Sequence, residues 1–197
     1  EGWPRQDDGT CDPALRTDCG GAGALPGGRC LPLADAMCPA SSAPMEGDVP
    51  VGVTAVHVRA GAASEGADGT EPHPYPTLQE ALRDTSGERW FVLAAGTYDG
   101  PVVLPRAAHI VGVCAARVVL NGDASAPVVT ADYPLDLRGV TVRGGAGGVH
   151  VTAATTTLRR VVISASQAYG VLVEGAGSTL DAEDLLVRGV SAPRENA

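Results

Sequence analysis

Residues 66–122 read GADGTEPHPYPTLQEALRDTSGERWFVLAAGTYDGPVVLPRAAHIVGVCAARVVLNG, a polar turn, one helix signal, and then short apolar runs broken by Gly and Pro. Thr77 with Glu80 three positions later forms a capping-box signature, and Leu78, Ala81 and Leu82 fall on one helical face. The pattern predicts a helix over about residues 77–86. A helix of about two turns with one narrow apolar face cannot stand alone, so it must lie on an apolar surface. The open end of a parallel coil offers that surface, because its unpaired strand edges need a cover.

Downstream, strand-like runs occur at Trp90 to Leu93, Val102 to Leu104, Ile110 to Val113, Val118 to Leu120 and Val128 to Ala131. A repeat then becomes measurable. Val128, Val149 and Val171 are 21 and 22 residues apart. Val140, Val161 and Leu185, matched by Val142, Ile163 and Val187, are spaced by 21 and 24. Self-similarity at this period, without intervening helices, marks a parallel solenoid whose coils stack about 4.8 Å apart. The regular leucine and asparagine pattern of a leucine-rich horseshoe is missing. Val161 and Ile163 are expected to face the core, and Arg159 and Arg160 to face out.

Gly66, Asp68, Gly69 and Thr70, then Pro74, Tyr75, Thr77, Leu78, Gln79, Ala81 and Leu82, then Gly96, Thr97 and Tyr98 carry a resemblance. Together they resemble the N-terminal opening of secreted bacterial right-handed parallel β-helix repeat proteins of the pectin-lyase-like superfamily. Ala95 departs from that pattern where a Pro often precedes the Gly, and Gly100 where an acidic residue is common. The resemblance implies an all-β fold: a right-handed parallel β-helix, or solenoid, with a short N-terminal capping helix and a disulfide-rich, loop-like leader. It implies an extracytoplasmic protein but no activity, since β-helices host lyases, hydrolases, epimerases, adhesins and inert scaffolds alike.

Composition agrees. Aromatics make up 4% of the 197 residues, so the core must be built from small β-branched side chains, which suits narrow coils. The formal charge is -9, and all 14 basic residues are arginine. An acidic balance without a basic cluster argues against nucleic acid and anionic membranes as partners, and no run of membrane-spanning length is visible. The absence of lysine removes Schiff-base chemistry, although a GC-rich genome explains it more simply.

Residues 1–50 read as a Cys/Gly/Pro-rich leader and linker, and residues 51–197 as the β-helix, with coils over about 90–190. Cys11, Cys19, Cys30 and Cys38 imply two disulfides and an oxidising compartment, with three connectivities open. Their spacings of 8, 11 and 8 lack the close Cys-x-x-Cys pair of a zinc site. Cys114, after an apolar run, reads most simply as a buried core thiol; the less favoured alternative is a link from Cys114 to the leader, which would leave one leader cysteine free. Ser41 to Pro50 reads as a linker, with a first strand over Val51 to Val58. After Val190 no closing segment is visible, so the coil is expected to continue beyond the given C-terminus or to meet another chain there.

The best catalytic constellation is Arg138, Arg159 and Arg160, which stacking would place near Asp181, Glu183 and Asp184. In pectate-lyase-like members of the superfamily an arginine base works beside calcium-binding carboxylates, and calcium takes six to eight oxygen ligands. The preferred reading is plainer: surface ion pairs worth under about 1 kcal/mol each. The aspartate-pair and Gly-His-Gly motifs of polygalacturonases are missing, and so is a Gly-x-Ser-x-Gly nucleophile. The loop Glu65, Asp68, Glu71 and His73 matches no calcium pattern, and His57, His109 and His150 read as solvent-facing strand histidines. Thr152 to Thr157 reads as a turn. The expectation is therefore a secreted or surface-attached β-helix module with a structural or binding role, its partner a polysaccharide or a cell surface. The alternative is a calcium-dependent polysaccharide lyase acting on an acidic glycan; no other cofactor is implied.

Overall fold

The computed structural model describes residues 23–25, 29–31, 38, 43, 44 and 47–191. In the leader, β1 (Gly23–Leu25) pairs antiparallel with β2 (Arg29–Leu31). The remainder is a parallel β-solenoid of about five turns with a single helix among the described residues. In chain order it runs β3 (Val56–Val58), α1 (Leu78–Asp84), β4 (Arg89–Leu93), β5 (Gly96–Asp99) and β6 (Val102–Leu104). It continues through β7 (Ala108–Gly112), β8 (Val118–Asn121), β9 (Val129–Ala131), β10 (Leu135–Arg138) and β11 (Thr141–Arg143). The last coils are β12 (Gly147–Thr152), β13 (Thr155–Ser164), β14 (Tyr169–Glu174) and β15 (Thr179–Arg188).

Parallel pairing sorts these strands onto three faces. Face one stacks β3, β4, β7, β10 and the first halves of β13 and β15. Face two stacks β5, β8, β11 and the second halves of the same two long strands. Face three stacks β6, β9, β12 and β14. The ladder confirms Val149 beside Val171, Val161 beside Leu185, and Val142 beside Ile163 beside Val187. Register corrects one position, because Val149 pairs with Val129 rather than Val128. Both valines are buried, so the apolar pattern alone does not reveal which one is in the ladder.

Alternation decides what each rung buries. Phe91, Ile110, Leu137 and Leu158 form one inward column on face one, each fully buried and each a rung above the last. Val161 and Ile163 are fully buried in the same core cluster, while Arg159 and Arg160 lie outside it and are half-buried. Where the chain turns from face one to face two, Gly139 (φ 60°), Arg160 (φ 52°) and Asp184 (φ 54°) hold equivalent left-handed conformations on three successive coils. Gly139 has a second reason to lack a side chain. A Cβ there would meet the Gly112 carbonyl oxygen of the coil before at 2.6 Å, and one on Gly112 would meet that of Gly139 at 2.3 Å.

The helix covers one end of the coil, as its apolar face requires. Thr77 accepts a hydrogen bond from the Glu80 N–H at 3.1 Å, and Leu78, Ala81 and Leu82 are buried. The helix stops at Asp84, two residues short of the expected boundary, because Thr85 turns extended. Arg106, from the turn before β7, donates to the carbonyls of Leu82 and Gly87, each at 2.7 Å, and so ties the helix C-terminus to the first full coil. The Tyr98 hydroxyl, buried beneath this end, lies 2.8 Å from the Ala94 carbonyl and 3.1 Å from that of Val58.

At the other end, β14 and β15 are each paired on one side only among the described residues. Leu180 and Val187, 41% and 43% exposed, sit one rung beyond Thr156 and Ile163, which are fully buried.

Two outcomes test this arrangement. Val161→Asp is expected to unfold the coil and Ile163→Ala to cost about 2–5 kcal/mol, whereas Arg159→Ala costs under about 1 kcal/mol, read from urea midpoints. Burial pushes the Tyr98 hydroxyl up to about 12. Its contribution to stability is therefore complete below about pH 10, the unfolded value, and is lost as pH rises through about 12. Tyr98→Phe should flatten the alkaline decline in the urea midpoint.

Candidate functional site

Face one also carries an outward column, and its chemistry changes along the axis. His57, Val92, Val111, Arg138, Arg159 and Glu183 succeed one another in register. Beside it run Trp90, His109, Asp136, Thr157 and Asp181. The two columns meet in a polar cluster on the middle coils. Asp136 grips Arg138 with both oxygens, Nε to Oδ1 at 2.8 Å and Nη2 to Oδ2 at 2.5 Å. That bidentate bond raises the Arg138 guanidinium above its ordinary value, chiefly through the hydrogen bond itself.

His109 stands between two carboxylates. Its Nε2 is 2.7 Å from Glu88 and its Nδ1 is 3.2 Å from Asp136. The ring stacks flat on Trp90, with centroids 4.0 Å apart, and the Arg138 guanidinium lies 5.3 Å from the Trp90 ring. His109 thus faces outward on its strand, as expected, and is engaged there by ring and carboxylate neighbours. His150 is engaged too, 2.8 Å from Glu174 and edge-on to Tyr169.

The three candidate arginines do share this face, with Arg138 and Arg159 on adjacent rungs and Arg160 beside Arg159 on the same coil. Each meets an acidic partner from the protein itself. Arg159 lies 3.8 Å from Asp181 and 3.6 Å from Glu183, ion-pair distances too long for a hydrogen bond. Arg160 Nη2 donates to Asp48 Oδ1, and Arg138 Nη1 donates to the Asp48 carbonyl at 3.1 Å. Asp184 occupies the corner position next to Glu183.

Calcium needs oxygens converging on one point. Asp181 and Glu183 lean instead toward Arg159, and among the described residues no group of three or more His, Cys, Asp or Glu side chains is arranged to hold a metal. As placed, the trio does not fit the ion, and no catalytic step is drawn through it. In the loop, Asp68 accepts from the Thr70 hydroxyl and N–H at 2.7 and 2.9 Å, a local turn whose hydroxyl contact lowers the Asp68 carboxyl below its ordinary value.

Asp48 is the residue that sequence reasoning missed. Its stretch reads as a linker, yet its side chain is only 8% exposed and is paired across 112 positions. The second correction concerns Cys114, which forms a disulfide with Cys38 instead of remaining a core thiol. The apolar run before it is real, but Cys114 lies past the end of β7, at the turn, where a leader residue can reach it. Cys11 and Cys19 lie outside the described residues, and Cys30 is on β2. Among the described residues, no helix is long and apolar enough to cross a membrane.

Proteolysis without reductant and subsequent mass spectrometry should recover a peptide joining Cys38 to Cys114. A Cys114→Ser variant should lose that peptide and melt at a lower temperature, consistent with roughly 2–4 kcal/mol for a bridge closing a long loop.

Comparison with protein-family models, curated proteins and solved structures found no match for the chain, so the fold and the site rest on the geometry of the strands and side chains themselves.

Proposed function

We propose that this chain is a secreted or surface-attached β-solenoid module with a structural or binding role, and not a catalyst. The observation that carries the reading is the state of the arginines. A general base must stand ready to take a proton from a substrate. Arg138, Arg159 and Arg160 instead meet Asp136, Asp48, Asp181 and Glu183, which suits a rigid charged surface. The Cys38–Cys114 bridge supports an oxidising, extracytoplasmic setting. The half-exposed Leu180 and Val187 on the last described rung are consistent with a further β-coil adding there.

The competing reading is a calcium-dependent lyase on an acidic glycan, favoured by Asp181 and Glu183 standing one rung from Arg159, with Arg138 on the rung before. Turnover decides between them. The folded protein is incubated with acidic and neutral polysaccharides, with and without calcium, and unsaturated and reducing ends are monitored with Arg160→Ala as control. No product from any glycan is the expected outcome. Calcium-dependent unsaturated products that vanish in the variant would establish a lyase and overturn the proposal.

A further inference from the structure

Val92 and Val111 occupy outward positions on face one, outside the core cluster, yet Val92 is 8% exposed and Val111 is fully buried. The leader passes close to this strip: Ala43 and Pro44 face Val92 and His57 across a hollow of about 420 Å³. Further along, the same segment sets Asp48 on Arg138 and Arg160. The contact is of two kinds, side-chain carboxylate to one guanidinium and main-chain carbonyl to the other. That combination recognises a peptide, since a free carboxylate would supply only the first.

The receiving side is prepared for it. Arg138 is held by both oxygens of Asp136 and lies against Trp90, so Asp48 is not its sole support. Arg160 stands in a left-handed conformation at a corner where the coil before uses Gly139. Asp184 holds the same conformation on the next coil, so the corner geometry is general, and at this corner it carries the Arg160 side chain to Asp48.

We propose that the strip formed by Val92, Val111, Arg138 and Arg160 is a groove for an extended acidic peptide segment, bordered in this structure by the chain's own Ala43 and Pro44 and occupied at its arginine end by Asp48. The inference rests on the reading of the chain as a binding module. Asp48 is joined to β3 through the main chain and anchored again through the Cys38–Cys114 bridge, so its binding is intramolecular and modest contacts keep it in place. A partner offering a carboxylate flanked by small or apolar residues competes for the same place once the internal segment is weakened. The groove and its occupant then form a binding site with a built-in competitor.

The probe is a fluorescent synthetic peptide of residues 43–50, APMEGDVP, titrated by anisotropy into the full chain with its disulfide intact. Asp48→Ala, shown to be folded by circular dichroism, is expected to bind it at least about ten-fold more tightly than the unaltered protein, whose groove is occupied at its arginine end. Adding Arg160→Gln, or placing Asn at the Asp position of the peptide, should remove that gain. If Asp48→Ala does not fold, Asp48→Asn keeps the shape and removes the charge, and the same gain is expected. A folded Asp48 variant that binds the peptide no better than the unaltered protein, or whose gain survives Arg160→Gln, would overturn the groove. Either result leaves the glycan assay to judge the scaffold reading on its own.

Discussion

Parallel stacking of inward side chains, one rung upon the next, is the constraint on which the structure depends. A single coil of this chain buries nothing by itself. Phe91 is covered because Ile110 lies over it, Ile110 because Leu137 does, and Leu137 because Leu158 does. The scarcity of aromatic residues stems from the same geometry, since three narrow faces leave room for valine, leucine and isoleucine but little for rings. Phe91, Tyr75 and Tyr98 are the rings of the core, while Trp90 and His109 stack on the outside.

The outer surface obeys a different rule. Because register repeats each outward position at the next rung, charges there are neighbours by construction, and they pair along the axis. Asp99, Asn121 and Arg143 form one such ladder on face two, with contacts of 2.7 and 3.3 Å. Exposed pairs of this kind add little stability individually. Asp48 with Arg160 differs, since both are largely removed from water and a leader residue is locked to the coil by them.

The solenoid was legible from the sequence because its signals are local or periodic. The cap at Thr77, the apolar face of α1 and the 21-residue spacings each need only a short window. The polar cluster was not legible, and unequal coil lengths explain why. Trp90 and His109 are register partners 19 residues apart, while His109 and Asp136 are 27 apart, so no single period brings Glu88, Trp90, His109 and Asp136 together. Asp48 was hidden for another reason. A Gly/Pro-flanked stretch has the composition of a linker whether it hangs free or lies along a sheet, and only the position of Arg160 distinguishes the two. The disulfide obeys the same logic: cysteines crowded in a leader suggest bridges among themselves, and nothing local marks Cys114 as the partner of Cys38.

The two ends of the described coils are built unequally, with α1 and Arg106 clamped over one and β15 paired on a single side at the other. In a stack whose cohesion comes from nearest neighbours, this gives the molecule a direction. β3, the end strand on the capped side of face one, also has a single ladder, to β4, but α1 packs against it and its Val58 is buried, whereas β15 has one ladder and a half-covered row of side chains. Among the described coils the β15 rung is thus the more easily opened, and its loss leaves the column from Phe91 to Leu158 in place.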